Sequence, residues 1–508
     1  MAITKILLFL KLWEQEEAPI QMKCLTKILF MKRLIIIATL ICVGILNLSA
    51  QETQIDLSKY KLPDMKRQTL EFNFDLNNSF NKNYYSTNEG DLSRRNYLSS
   101  ALDVYYSFFK NSVKWQQELY ASLSIGGSNN EYREFGQLDY AYRSLSSSIA
   151  LSSINRYYFN ELFVGFNPSL NTSYFRRNDE SFGTHYKDYT SRFNTYVPVH
   201  VGYGRIERVE DARQAAYIYN ALVKKARAKE GKSEEDLLML AEKISQLKNE
   251  RFFDARNKKI YELEELDKYL KENGFIDEDD ITYFATLEDM WEYGNSPSRW
   301  SGFRASAFFN PGYYIYENVD RAGNDSYYNH KYYLLKTGVK LDYAKPINMY
   351  WQNTLSFTSY YGISRNRTNG RYQLRNDWRT PGIHIGVRDQ IGFYPNTRTY
   401  LSAYSYVYLA KQMDKPKNED SSDDYVGSFK GKSLRTGAGF SGYYYFSPQL
   451  RLNGSLGVFY SADIVDPDYE NVEYYSPDSD GWNYYGGFTN SKNLFDYQFS
   501  LSIEYFLF

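Results

Sequence analysis

The chain has few residues of the kinds that perform catalysis. Its four histidines are His185, His200, His330 and His384, and none lies in a recognisable Ser-His or Asp-His arrangement. The G-x-S-x-G, H-E-x-x-H and P-loop motifs are missing as well. We therefore expect no enzyme, no catalytic residue, no metal site and no cofactor. A lipase or protease activity that is lost when His200 or His384 is substituted would reverse that expectation.

The sequence gives equally little support for a cation site or for cysteine chemistry. The acidic stretches "DSSDD" (420–424) and "DPDYEN" (466–471) could hold a cation, but their spacing matches no EF-hand loop. Solvated acidic loops are the simpler interpretation. The two cysteines, Cys24 and Cys42, both precede residue 50, so removal of that region would leave neither a disulfide nor a thiolate site.

Charged side chains instead alternate with apolar ones. In "TLEFNFDLNNSF", Leu70 and Phe72 share one face, and Glu71 and Asp75 share the other. Such alternation indicates a β-strand with one face in an apolar phase. If such strands close into a barrel with every apolar face pointing outward, the opposite faces line its lumen. The charged residues predicted to line that lumen are Glu71, Asp75, Asp103, Glu118, Arg192, Arg304, Lys336, Lys340, Arg388, Arg435 and Arg451.

The charges on the predicted inner face are segregated along the chain. Acidic residues lie on the first three strands and basic residues on later ones. In a closed ring the two groups would face each other, and the transverse field would let a wet pore sort polar solutes. The alternative is that these charges form ion pairs that fill a closed lumen.

The period of two recurs in fourteen segments of up to about 18 residues, longer than most globular strands. They are 69–80, 96–109, 113–126, 141–154, 160–175, 189–204, 299–316, 329–344, 348–365, 379–394, 398–412, 431–446, 449–463 and 493–508. Tight links such as "KNSVK" (110–114) and "YPNTR" (394–398) alternate with long polar loops such as 81–95, 127–140, 176–188, 413–430 and 464–491. The pattern is typical of outer-membrane barrels with short periplasmic turns and long outer loops.

The composition fits this interpretation. Of 508 residues, 18% are aromatic and 52 are tyrosine, yet the mean hydropathy is −0.59. Aromatic girdles and polar tyrosines in a lumen would explain the excess; a tyrosine-rich carbohydrate-binding surface is the rival explanation. A large soluble sandwich or propeller is the other alternative. The net charge of −1 gives no sign of nucleic-acid binding.

The N-terminus predicts export. "MKRLIIIATLICVGILNLSAQ" (31–51) has a basic start, an apolar run and a small-residue exit, as in a signal peptide cleaved before Gln51. Residues 1–50 are then an over-extended leader plus signal peptide, with Met31 as the true start. A membrane anchor is the alternative. Because residues 51–66 are too few for a plug domain, we do not expect an energy-coupled receptor.

The C-terminal segment "FDYQFSLSIEYFLF" places Tyr497, Phe499, Leu501, Ile503 and Tyr505 on one face and ends at Phe508. It resembles the last strand of Gram-negative outer-membrane β-barrels, whose final aromatic residue the insertion machinery reads. The resemblance implies a transmembrane barrel of about fourteen antiparallel strands, contact with outer-membrane lipid and with that machinery, and an insertion signal in these residues. Glu504 is expected to face the lumen.

The strand pattern breaks between residues 205 and 298. Apolar residues there recur at helical spacing, Ser233 and Asp236 form a helix-start pattern, and Gly274 ends a helix. The block divides the barrel into strands 1–6 (67–204) and 7–14 (299–508). Strand parity places it on the periplasmic side.

The segments "GRIERVEDARQAAYIYNAL" and "NERFFDARNKKIYELEELDKYL" resemble a helical insertion in a family of uncharacterised outer-membrane proteins, which implies no activity. The block could plug the barrel, dock a periplasmic or cell-wall partner, or form a bundle without a partner. The sequence therefore predicts a porin-like channel that passes or binds small polar solutes. A non-conducting anchor with a docking insertion is the alternative.

Overall fold

A computed structural model describes residues 55–508 except 86–90, 135–136, 182–183, 251–254, 278, 295–296, 322–325, 371–375, 413–430, 448, 466–492 and 506–508. The predicted leader and signal peptide, the acidic stretches 420–424 and 466–471, and Phe508 lie outside the described residues.

The strands form one antiparallel sheet, in which strands that follow each other across a turn or loop pair side by side. They are β1 (Met65–Tyr85), β2 (Asp91–Asn111), β3 (Trp115–Glu134), β4 (Gln137–Phe159), β5 (Leu162–Phe166), β6 (Ser169–Ser181), β7 (Thr184–Tyr196), β8 (Val199–Tyr203), β9 (Ile206–Arg208), β10 (Trp300–Asp320), β11 (Ser326–Pro346), β12 (Trp351–Gly370), β13 (Asn376–Asn396), β14 (Thr399–Gln412), β15 (Gly431–Ser447), β16 (Leu450–Val465) and β17 (Asn493–Tyr505).

The seventeen segments correspond to the fourteen long strands that the sequence predicts. β5 continues into β6, and β7 continues through β8 into β9, with short breaks between them. Two of these breaks contain Pro168 and Pro198, which have no N–H to donate to a ladder. A third break contains Gly204, whose φ of +87° suits a residue without a Cβ.

The two faces of the sheet differ in chemistry. On one face apolar side chains such as Phe74, Val339 and Leu456 stay exposed, as they do in a barrel whose outer face contacts lipid. The other face is polar and turns inward, because Arg208 of β9 reaches Glu118 of β3 and stacks over Phe109 of β2. The predicted fold class, a transmembrane β-barrel with an inserted helical domain, is confirmed.

A seam remains between the first and last strands. Among the described residues no hydrogen-bonded ladder joins β1 to β17. Side chains on both faces of these two strands are exposed, including inward-facing Glu71 and Gln498. The inward and outward alternation thus continues to both edges of the sheet.

Several strands extend further than predicted. The predicted loops 127–140 and 176–188 are mostly strand, with only 135–136 and 182–183 between the paired segments. Polar residues in these extensions keep the ladder, as Ser128 opposite Ser144 shows with hydroxyls 2.7 Å apart. Their polarity predicts loops, because the sequence alone does not reveal the partner strand that holds them in a ladder.

Four helices form the helical domain (residues 209–298): α1 (Glu210–Lys224), α2 (Glu234–Asn249), α3 (Ala255–Glu272) and α4 (Ile281–Tyr293). The predicted capping box is confirmed, since Ser233 and Asp236 bond reciprocally at the start of α2. Gly274 has a φ of +64° in the turn after α3. Fully buried Ile218, Leu240 and Leu266 join three of the helices in one apolar core. None of the described helices is long and apolar enough to span a bilayer.

The helical domain lies at the edge of the sheet that carries the short turns, called here the helical end. Tyr217 of α1 donates a hydrogen bond to the carbonyl of Tyr394, at the β13–β14 turn, over 3.1 Å. Met349, in the β11–β12 turn, belongs to the same apolar core. The segment before β1, with Leu57 and Tyr60, also packs into that core.

A matched pair of substitutions tests which face contacts lipid. Leu456 and Ser455 are neighbours on β16, the first pointing outward and the second into the lumen. We expect Leu456→Arg to lower the free energy of unfolding in lipid by about 2–4 kcal/mol, because it buries a cation in hydrocarbon. Ser455→Arg should fold nearly as well as the parent. Urea unfolding in vesicles measures both, and equal losses would contradict the assignment of faces.

The helical domain should lose stability in acid through Asp280. This carboxylate caps α4 and accepts a hydrogen bond from the Arg227 Nη2 atom over 2.7 Å, which lowers the pKa of Asp280 to about 2. The contribution is therefore present above the unfolded pKa of about 3.9 and is lost as pH falls toward 2. Hydrogen exchange in the full chain should show that α4 loses less protection on acidification in Asp280→Asn than in the parent. Asp277→Asn, on an exposed neighbour, should retain the parental profile; identical profiles for all three proteins would contradict this role.

Candidate functional site: a charged chamber at the helical end

A cavity of about 370 Å³ lies inside the barrel at its helical end and is called here the chamber. Its wall comes from β2, β3, β4 and β9–β13. The polar and charged lining residues are Asn111, Gln116, Gln117, Glu118, Arg156, Glu207, Arg208, Arg304, Asp342, Thr354, Ser356, Arg388 and Gln390. Because the lining spans so many strands, the chamber lies across the lumen and not within one stretch of wall.

Strand register brings these side chains together. Arg304 of β10 lies opposite Asp342 of β11, and Ser356 of β12 lies opposite both Asp342 and Arg388 of β13. In an antiparallel sheet, directly opposed residues point to the same face. Arg208 enters the chamber from β9, next to the start of the helical domain.

Part of the charge in the chamber is neutralised locally. Arg304 donates to Asp342 over 2.8 Å, and the Ser356 hydroxyl donates to the same carboxylate over 3.0 Å. Glu207 pairs with Arg205. Asp342 and Glu207 therefore have their own cations.

The linkers to the helical domain close one side of the chamber. Arg205 donates to the carbonyls of Ser112 and Val113 in the β2–β3 turn over 2.9 and 3.1 Å. Gln116 donates to the Ile206 carbonyl over 3.2 Å. These bonds tie the segment that joins β8 and β9 to the β2–β3 turn and the start of β3.

A second cavity of about 490 Å³ follows the wall of the first strands and is nearly neutral. Glu71 is its one charged residue among hydroxyl, amide and aromatic groups. Others that line it are Thr69, Tyr105, Ser107, Tyr120, Ser122, Ser152, Asn171, Asn194 and Tyr196. The second cavity is therefore nearly neutral, whereas the chamber at the helical end is charged.

All eleven predicted lumen charges lie at inward positions of the register, but they do not form one site. Glu118 and Arg388 line the chamber, together with Arg304. Lys336 is buried, with its ammonium 4.9 Å from the Tyr360 ring, and Lys340 lies 3.8 Å from Asp342.

The other predicted charges lie elsewhere along the barrel. Asp75 and Asp103 belong to the inner faces of β1 and β2, away from the chamber. Arg192 stacks 5.3 Å from Tyr316, and Arg435 lies opposite Tyr408. Glu118 of β3 and Arg208 of β9, which are not on neighbouring strands, approach each other to 3.9 Å.

Four charged residues of the chamber were not predicted: Arg156, Glu207, Arg208 and Asp342. Arg156 follows the predicted strand 141–154, and Glu207 and Arg208 fall in the block 205–298, where the strand pattern breaks. Asp342 had an available signal, since it shares its strand and parity with Lys336 and Lys340. The other three lie in β4 and β9, beyond the predicted strand ends at residues 154 and 204.

The histidines do not form a catalytic arrangement among the described residues. His384 stacks on Tyr360 with ring centres 4.5 Å apart and is bonded to the Tyr408 hydroxyl. His200 packs beside Phe308, and His330 is stacked parallel to Tyr328. His185 lies 3.9 Å from Glu180. Within the described ranges no group of three or more His, Cys, Asp or Glu residues could hold a metal ion.

The last described strand carries the predicted insertion-signal face. Tyr497, Phe499, Leu501, Ile503 and Tyr505 of β17 all point outward and are 59–72% exposed. Glu504 points inward and forms an ion pair with Arg451 of β16. Fourteen long strands with an exposed apolar face and a charged interior define the architecture. It is that of a membrane β-barrel.

No protein-family model and no curated protein matches the chain. Solved structures overlap with it at low identity and TM-score. The translocator domain of the autotransporter NalP from Neisseria meningitidis is 9% identical over 69% of this chain and 84% of that one, with a TM-score of 0.25. The ferric yersiniabactin uptake receptor FyuA from Yersinia pestis is 8% identical over 80% and 62%, with 0.33. The toluene transporter TodX of Pseudomonas putida is 8% identical over 79% and 84%, with 0.22.

Proposed function

We propose that the protein is an outer-membrane channel that passes or binds small polar solutes, and that its helical domain covers the periplasmic mouth. The observation that carries this proposal is the inner face itself. A polar wall follows the strands and ends in a chamber with convergent charged groups, while the outer face is apolar. Pockets with a few convergent polar groups are the usual binding sites of small solutes.

The contacts of α1 support the role of a cover. Arg213 stacks between Tyr217 of α1 and Tyr394 of the barrel, 5.8 and 5.4 Å from the two ring centres. On another side, the Tyr60 hydroxyl is hydrogen-bonded to Ser245 of α2 over 2.6 Å. The helical domain is therefore held at the β13–β14 turn and at the segment that leads into β1.

The direction of the chain supports a periplasmic position for the helical domain. A processed N-terminus that precedes β1 starts in the periplasm, and the short turns share that side with it in barrels of this kind. Asn111, beside the β2–β3 turn, donates to the Leu62 carbonyl over 3.1 Å. The segment before β1 and the helical domain thus lie at the same end as the short turns.

A non-conducting anchor is the second candidate. Helices α2, α3 and α4 leave Met239, Ile260 and Ile281 exposed, the last at 82%. A periplasmic protein or the cell wall could dock there. If the protein is such an anchor, the chamber is part of a closed lumen filled by ion pairs. Neither candidate function includes a catalytic step.

Planar-bilayer recordings of the purified full chain distinguish the two candidates. The channel predicts discrete openings, few while the helical domain is in place and more when it is removed. If neither the full chain nor the variant without the helical domain opens at any voltage, the channel is excluded. The anchor would then be tested by crosslinking in cells from Ile260 and Ile281 positions.

A further inference from the structure

We infer that the chamber is a binding site for a small solute that carries an oxyanion, either a carboxylate or a phosphate, held by Arg156 and Arg208. The inference rests on the proposed function, since it names the class of solute that the channel selects. It depends on the state of four arginines and three carboxylates around one cavity.

Arg156 provides the first cationic group. Among the described residues its guanidinium makes no hydrogen bond and no ion pair. Arg304 repels it electrostatically, and Glu118 and Asp342 attract it only from a distance. A guanidinium has five donors and keeps its charge at all ordinary pH values. A half-buried one without an acceptor is therefore costly unless an anion binds beside it.

Arg208 provides the second group. Its Nε atom is buried and has no hydrogen-bond partner among the described residues. Its nearest carboxylate, Glu118, is 3.9 Å away, beyond hydrogen-bond distance. The planar group lies 5.0 Å from the Trp300 ring and 5.5 Å from Phe109, which fixes its orientation. An oriented guanidinium is well suited to bidentate binding of a carboxylate or phosphate.

The chamber's other charges do not satisfy these donors. Asp342 is bonded to Arg304 and Ser356, and Glu207 pairs with Arg205. Glu118 is then the one remaining carboxylate for two guanidiniums. The local balance is positive, so an anionic solute is favoured over a neutral or cationic one.

The size of the chamber limits the solute. A volume of about 370 Å³ is near the lower end of ligand pockets, which span roughly 300–1,000 Å³. Gln116, Thr354 and Gln390 supply neutral groups for the rest of the molecule. A small organic acid or a phosphorylated compound of similar size fits these limits.

Calorimetric titration of the full chain in detergent tests the inference, with inorganic phosphate, succinate and glucose as probes at low salt. We expect phosphate or succinate to bind and glucose not to bind. Arg156→Gln and Arg208→Gln should each weaken anion binding about tenfold, the loss expected for one charge-assisted hydrogen-bonding group. Arg192→Gln is the matched control, since Arg192 is an inward arginine that does not line the chamber. It should retain parental affinity.

The outcomes separate the inference from the channel proposal. Binding of phosphate alone identifies phosphorylated solutes, and binding of succinate alone identifies carboxylates. If a barrel that conducts binds neither phosphate nor succinate, the inference is overturned and the channel proposal remains. The same holds if Arg192→Gln loses as much anion affinity as the two chamber variants. Binding to a barrel that never conducts would overturn the channel and leave the site. Because Arg156→Gln removes an unpaired charge, its thermal stability should be at least that of the parent, which excludes misfolding as the cause of lost binding.

Discussion

Replacement of residues 210–298 by an Asn-Gly turn is expected to raise single-channel conductance in planar bilayers severalfold. Under the proposed function the helical domain covers the end of the barrel where the chamber lies, so its removal should open the lumen to solution. Barrel strands and chamber residues all remain in the shortened chain. The change in conductance thus reports on the cover alone.

The structure permits this deletion without a gap. Arg208 pairs with Trp300 at the end of the β9–β10 ladder, and the Val209 amide donates to the Arg299 carbonyl over 2.9 Å. Two residues joined in this way can be linked by a two-residue hairpin turn, for which Asn-Gly is favoured. The new turn resembles the short turns elsewhere at the same end.

A graded control accompanies the deletion. Tyr217→Phe removes the hydrogen bond from the Tyr217 hydroxyl to the Tyr394 carbonyl but keeps the aromatic ring and the rest of the helical domain. Its conductance should stay near that of the parent. If the deletion folds, as heat-resistant mobility in gels would show, and conducts no better than Tyr217→Phe, the helical domain is not a cover.

Substitution of Arg299 by methionine is expected to cost about 3 kcal/mol or more of the free energy of unfolding. Arg299 is fully buried between the helical domain and the β11–β12 turn. Its guanidinium donates to the carbonyls of Met349, Asn348 and Trp351 and lies 4.8 Å from the Tyr394 ring. Methionine fills much of the space but leaves these carbonyls without a donor, and each buried unsatisfied group costs roughly 1–3 kcal/mol.

Two further variants separate charge from geometry. Arg299→Lys keeps the cation but lacks the planar fork that serves several carbonyls, so it should recover only part of the loss. Lys225→Ala, at an exposed position after α1, should unfold like the parent. Urea titration followed by tryptophan fluorescence measures all three. A cost for Arg299→Met within about 0.5 kcal/mol of that for Lys225→Ala would be typical of a surface position and would contradict the role assigned here.

Periodicity predicted the sheet because alternation is a local property. Leu70 and Glu71 already show which way each face of β1 points, and Ser233 with Asp236 shows where α2 starts. Each of these two signals is contained within a few consecutive residues. The exact strand ends were less accurate, since polar residues in a ladder look the same as polar residues in a loop.

The chamber could be predicted only in part, because the register between neighbouring strands decides which of its side chains lie next to each other. Arg304 and Asp342 are neighbours only through the offset between β10 and β11. Arg156 and Arg208 belong to it because β4 and β9 run past their predicted ends. Docking of the helical domain likewise depends on Arg213 and Arg299 meeting turns far along the chain, which no local pattern specifies.

The hydrogen bond between Val209 and Arg299 has a consequence for the order of folding. It brings both ends of the helical domain to one point, so a domain that folds first holds β9 and β10 side by side. When the helical domain is unfolded, pairing β9 with β10 costs the entropy of closing a loop made of residues 210–298. When the helical domain is already folded, the cost falls to that of closing a short turn. Early formation of the helices would thus nucleate the hairpin midway along the barrel, and mutations in the helical core would slow strand assembly more than they destabilise the finished barrel.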